Sequence, residues 1–187
     1  MDPPDAIAGL RKRIDEAYAD FSAAIAAFSN EQLMAAGTIG SWSVRDVIAH
    51  VGGDERWMAG QLEALQAGAL PTALSCYGDD RQVPDGIDLG SQDGRNAWQH
   101  ERLRGLSLDE VRAMAAEGHA RLIAAIESFS GEQLSEELAI VSLGTTGHIR
   151  KRNDGEVGWP LWEWLRGVTY HHYAGHAGAI RAVAAGR

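Results

Sequence analysis

The chain of 187 residues holds a single cysteine, Cys76, so neither an intrachain disulfide nor a zinc cage built from several thiolates can form. That usage fits a reducing compartment, the cytoplasm. Basic residues are scarce too: 17 Lys and Arg stand against 26 Asp and Glu, a net charge of −9 at pH 7. Because nucleic-acid affinity comes largely from Lys and Arg neutralising phosphates, this balance speaks against a nucleic-acid partner. The one basic cluster, His148-Ile149-Arg150-Lys151-Arg152, lies beside Asp154 and Glu156 and reads as a solvated loop. Long apolar runs are lacking. No segment reaches membrane-spanning length, and the opening "MDPPDAIAGLRKRIDEAYADF" has acids and prolines where a signal peptide needs a basic start and an apolar run. The expected setting is the cytoplasm, with no membrane contact. A serine-centred triad motif and a phosphate-binding glycine loop are also missing.

What is present suits a packed helical protein. With 45% hydrophobic and 23% charged residues, a chain of this length can bury one sizeable core, and one domain spanning 1–187 is expected. Ile7, Leu10, Ile14, Tyr18, Phe21, Ile25 and Phe28 recur at three-or-four spacing, the stripe of an amphipathic first helix. Ser29 with Gln32 forms a capping box for a short turn after it. Ser43 with Asp46 opens a second helix carrying Val44, Val47, Ile48, Val51, Met58, Leu62 and Leu65, and Ser107 with Glu110 opens a third. Within helix two, Gly52-Gly53 costs about 1 kcal/mol per glycine relative to alanine, which points to close approach of another backbone, or of a ligand. Residues 67–95, rich in Gly, Pro and Asp, read as a long loop suited to a lid, a binding segment or a partner contact, with "NAWQHERLRGL" helical after it. Residues 139–158 read as a second irregular stretch. "PLWEWLRGVTYHHYAGHAGAIRAVAA" reads as one continuous fourth helix with Pro160 in its first turn. The coarse architecture is an all-α four-helix bundle. An internal echo, "AAIAAFSNEQL" at 23–33 against "AAIESFSGEQL" at 124–134, with a weaker one between "HVGGD" and "HYAGH", suggests two similar helix pairs.

Three of the seven histidines fall in "TYHHYAGHAGAI". His172 and His176, four apart, are neighbours on a helix and fall on one stripe with Leu165, Val168, Thr169, Ala179, Ile180 and Val183, so both should point inward. Buried imidazoles need partners, and a divalent cation supplies one directly. His50, mid-way along helix two, is the best third ligand from a facing helix. His171 lies about 100° away and reads as peripheral. His100 and His119 are weaker candidates. Three neutral imidazoles suit zinc, nickel or iron(II), and such a metal would activate water or hold a thiolate cosubstrate. Asp54, one turn from His50, or Glu55 is placed to orient the water or a ligand. Among the tryptophans, Trp57 and Trp98, the latter beside Asn96, are expected to wall a substrate pocket, and Trp162 and Trp164 to pack in the core.

"SWSVRDVIAHVGGDERW" followed by "GWPLWEWLRGVTYHHYAGHAGAIR" resembles the DinB-like, YfiT-like superfamily of four-helix bundles, most of all its ClbS/DfsB branch. The resemblance spans nearly the whole chain, although its motifs occupy only helices two and four. It implies a metal triad of His50, His172 and His176. It also implies metal-dependent hydrolysis of a detoxifying kind on a small reactive or toxic molecule, with thiol S-transfer and mycothiol-dependent isomerisation as the superfamily's other activities. Apart from the resemblance, a Trp-lined pocket that sequesters an apolar ligand without turnover is the non-catalytic alternative. A homodimer is expected, since two-fold dimers are the commonest assembly.

Overall fold

The computed structural model describes residues 3–69, 92–143, 146–151 and 153–186. Helix α1 (Pro3–Ala26) buries Leu10, Ile14 and Phe21, the stripe expected from its spacing. It leads through Ser29 into the short α2 (Asn30–Met34), where Ser29 and Gln32 satisfy each other's backbone N–H groups. Helix α3 (Val44–Gln66) starts the same way: the Ser43 N–H donates to Asp46 Oδ2 at 2.9 Å and the Asp46 N–H donates to Ser43 Oγ at 3.1 Å. These reciprocal caps occupy amide groups that would otherwise lack intrahelical partners. Helix α4 (Gln92–Leu103) begins within the stretch read as loop, and Cys76 with most of that loop lies outside the described residues. Helix α5 (Leu108–Glu127) is capped by Ser107 and Glu110, and α6 (Gly131–Ser135) by Ser130 and Gln133. The echo seen in sequence is thus an echo in structure: α1 with α2 and α5 with α6 share the same helix, cap and short-helix run, with Leu33 and Leu134 both fully buried.

Helix α3 packs most closely along α5, and α1 along its partner at the end of the chain. The first contact depends on glycine. A Cβ on Gly52 would lie 2.6 Å from the Ala115 Cα, and one on Gly118 would lie 2.8 Å from the Gly52 carbonyl oxygen. Gly52 is therefore explained by backbone approach, the plainer of its two readings.

Three expectations are corrected. Residues 139–158 are not wholly irregular: β1 (Glu137–Leu143), β2 (Thr146–Lys151) and β3 (Trp159–Pro160) form an antiparallel sheet ordered β2-β1-β3, with Ile140 opposite Ile149 and Glu137 opposite Pro160. The basic cluster read as a loop belongs largely to β2. Strand pairing is set by cross-strand neighbours, which a short run of mixed residues does not display locally. The fourth helix, too, is two: α7 (Leu161–Val168) and α8 (Tyr170–Ala185), interrupted at the buried Thr169, whose φ of −116° and ψ of −104° leave the helical region. The Thr169 hydroxyl donates to the Leu165 carbonyl at 2.6 Å, a side-chain bond that competes with helical backbone geometry. Beyond the break, the buried stripe of α8 is Tyr173, Ala177 and Ile180, with His172 and His176 half-buried on the neighbouring face rather than on the apolar one.

Candidate metal centre and adjoining pocket

Helix α3 carries His50, 7% exposed, toward α8, where His172 and His176 sit one turn apart. Their Nε2 atoms converge: His50 to His172 at 3.1 Å and His176 to His172 at 2.9 Å, with one ligand atom from each lying within 4.8 Å of the others. His50 is oriented from behind. Gln99, buried on α4, donates through Nε2 to Asp54 Oδ1 at 3.0 Å, which turns its Oε1 toward His50 Nδ1 at 2.8 Å. The amide therefore accepts the Nδ1 proton and leaves His50 Nε2 bare, facing the cluster. Gly53 makes room for this, since a Cβ there would meet Gln99 Nε2 at 2.4 Å. Trp42 closes the outer side of His50, edge to face at 5.2 Å, and stacks on His100 at 5.7 Å.

The electrostatics keep His172 and His176 neutral. Burial, with the neighbouring His176 and His50, lowers the pKa of His172 from 6.5 to about 3; burial and His50 lower that of His176 to about 4. Asp54 Oδ2 lies 3.6 Å from His50 Nε2 and 3.8 Å from His172 Nε2. Burial pushes its carboxyl up, against the pull of His50, Gln99 and nearby Arg95. With Nε2 of His50 bare, one proton on His172 Nε2 can form a linear bond to only one of its two neighbours. A cation would instead meet all three lone pairs. Ligands about 2.0–2.1 Å from a metal, as histidine nitrogens are, stand roughly 3.3 Å apart, close to the separations found here.

Beside the cluster opens a pocket of about 220 Å³. Asp54 and His172 line it on one side, Trp57 and Trp164 stand 6.1 Å apart along its wall, and Arg95 and Asn96 reach it from α4. Of the three residues expected at a substrate pocket, Trp57 and Asn96 line this cavity and Trp98 does not. It is 1% exposed, packed under the Arg102 guanidinium, and Trp164 takes its place at the pocket. Asn96 and Trp98 are about 200° apart around a helix, so one cannot face the pocket with the other. His171 is exposed, His100 sits 3.8 Å from Asp46, and Glu55 is committed to His119 at 2.7 Å. Gln99 and Arg95 escaped the sequence reading. The only local hint of Gln99 was the helix-interior Gly53, which required a close neighbour without naming it.

Residues 14–150 match the family of mycothiol maleylpyruvate isomerase N-terminal domains. The chain belongs to this family. The matched span holds His50 and Asp54 and ends before His172. No curated protein matches the sequence. Solved structures of similar fold include DfsB, described as a sibling lethal factor precursor, with a TM-score of 0.67 at 16% identity, covering 94% of this chain and 93% of that one. The colibactin self-resistance protein ClbS, solved with double-stranded DNA, has a TM-score of 0.64 at 14% identity, covering 95% and 94%. A mycothiol-dependent maleylpyruvate isomerase has a TM-score of 0.62 at 16% identity, and this chain, 96% covered, corresponds to 61% of it. The all-α DinB-like fold expected from the motifs is therefore the observed one. The expectation of no nucleic-acid partner is overturned, because a protein of this same fold is solved on DNA. Net charge is a sum over the whole surface, whereas phosphate contact is made by a local patch, so −9 was no ground for exclusion. Among the described residues no helix is long and apolar enough to cross a membrane.

Proposed function

We propose that this protein is a metal-dependent enzyme that disarms a small reactive molecule, most simply by hydrolysis. The observation that carries the reading is the convergence of the Nε2 atoms of His50, His172 and His176, with His50 locked by Gln99 so that its free nitrogen faces the other two. Those histidines would hold a zinc, nickel or iron(II) ion, which would supply Lewis acidity to a bound reactant. Asp54 Oδ2 stands beside the cluster and at the pocket, where it can take a proton from an attacking water. Trp57 and Trp164 offer flat apolar walls, and Arg95 and Asn96 polar contacts at the rim, so that a compact, partly unsaturated molecule fits.

Elemental analysis of protein made without a histidine tag should find close to one transition-metal ion per chain, lost in His172→Ala. Turnover is then measured with an aryl ester in large excess, with and without a low-molecular-weight thiol. Hydrolysis continuing past one equivalent without thiol supports this reading; metal-free protein of full activity would remove the metal from it. Family membership favours a second reading, thiol transfer at the same histidines, which strict thiol dependence would select. Protection stopping at one equivalent would instead mean sequestration. A homodimer belongs to the same reading and is tested by sedimentation velocity.

A further inference from the structure

On a different face of α3 lies a second cleft, of about 160 Å³, between α1, α3 and α5. Its walls include Phe21, Ile25, Ile48, Val51 and Ala115, all apolar, with Tyr18 and Glu55 also lining it. Glu55 is out of place in such company. It is 1% exposed, and its Oε1 accepts both the His119 Nδ1 proton at 2.7 Å and the Tyr173 hydroxyl at 2.5 Å. Its Oε2 is buried and has no hydrogen-bond partner among the described residues. A buried carboxylate oxygen left unpaired is costly, and a donor from a ligand would remove that cost.

The surroundings narrow the donor. Burial and the Glu55 charge push the Tyr18 phenol up to about 12 and the Tyr173 phenol further still, so both stay protonated. Tyr18 stacks on His119 at 3.5 Å and lines the cleft as a neutral aromatic ring, a surface that favours an ammonium group. Arg112, the cationic side chain at the cleft, is engaged elsewhere, donating to Asn30 Oδ1 at 2.9 Å and lying 3.7 Å from Asp109. The volume suits a single ring, since an apolar protein cavity of about 150 Å³ admits benzene. We infer that this cleft is a second ligand site, taking a small protonated amine on a ring-sized apolar body with its N–H directed at Glu55 Oε2.

Benzylamine, benzyl alcohol and toluene, near-isosteric probes, are titrated into the full-length protein and followed by calorimetry and by backbone amide NMR shifts. Benzylammonium should bind about tenfold or more tightly than the alcohol, the worth of a charge-assisted hydrogen bond, and toluene should bind most weakly. Glu55→Gln should weaken benzylammonium by a similar factor of about ten while leaving the alcohol within about threefold. Ala116→Trp, at an exposed position on the cleft wall, should abolish binding of all three even if Glu55→Gln fails to fold. Equal affinity for toluene and benzylammonium, binding that survives Ala116→Trp, or no binding at all would overturn the assignment.

Discussion

The orientation of one imidazole rests on an amide three residues along α4 from Asn96. Gln99 gives His50 its tautomer, and such outer partners typically contribute about 10–100-fold to metal affinity. Gln99→Leu is therefore expected to weaken zinc binding by roughly that factor, as read by competition with a chromophoric chelator. Gly53→Ala should act in the same direction by displacing Gln99, although it leaves every histidine in place. The low proton affinities of His172 and His176 carry a second consequence. In metal-free protein the unfolded chain takes up protons as pH falls below 6.5, while folded His176 and His172 refuse them until about 4 and about 3. Stability should thus decline as pH falls through that window, because the unfolded state binds more protons. Urea midpoints measured from pH 7 to pH 4.5 should show the decline, and His176→Gln should flatten it.

Among the elements, the seam of α3 on α5 is the most exacting, because it is made by atoms that are absent. Gly118→Ala or Gly52→Ala forces backbone against backbone, and a cost of about 1–3 kcal/mol is expected from denaturant midpoints, with the slope of the transition unchanged. Much of this level was legible in the residues. The Ser29–Gln32, Ser43–Asp46 and Ser107–Glu110 pairs announce helix starts because a cap is a contact between near neighbours in sequence. The repeated "EQL" accompanies the same kind of cap at Ser130 and Gln133, although a short turn was expected only after Ser29. The interruption at Thr169 was hidden, since apolar spacing runs straight through it, and so was the sheet, whose pairing is non-local. The candidate histidines were legible from the i, i+4 spacing on α8 and the central place of His50 on α3. Gln99 and Trp164 were not, because their positions follow from how α4 and α7 dock, and Trp98 was expected at the pocket for want of the helical phase of α4.

For the whole molecule, anything that binds the folded chain alone stabilises it by mass action. Zinc at 100 times its dissociation constant should add about 2.7 kcal/mol of stability, visible as a rise in melting temperature. The same addition to His172→Ala should produce no rise. The charge of the molecule teaches the opposite lesson about scale: a total of −9 says nothing of what any one patch can hold, and a relative in fold solved on DNA makes that concrete.

The interruption at Thr169 divides labour along the last stretch of chain. Trp164, Gly167 and Val168, which shape the pocket, belong to one rod, and His172 and His176 to the next. Because a single residue joins them, a substitution at Trp164 can reshape that wall of the pocket while His172 and His176 keep their places. On the proposed reading, a change in what this wall of the pocket accommodates need not disturb the nitrogens that would hold the metal.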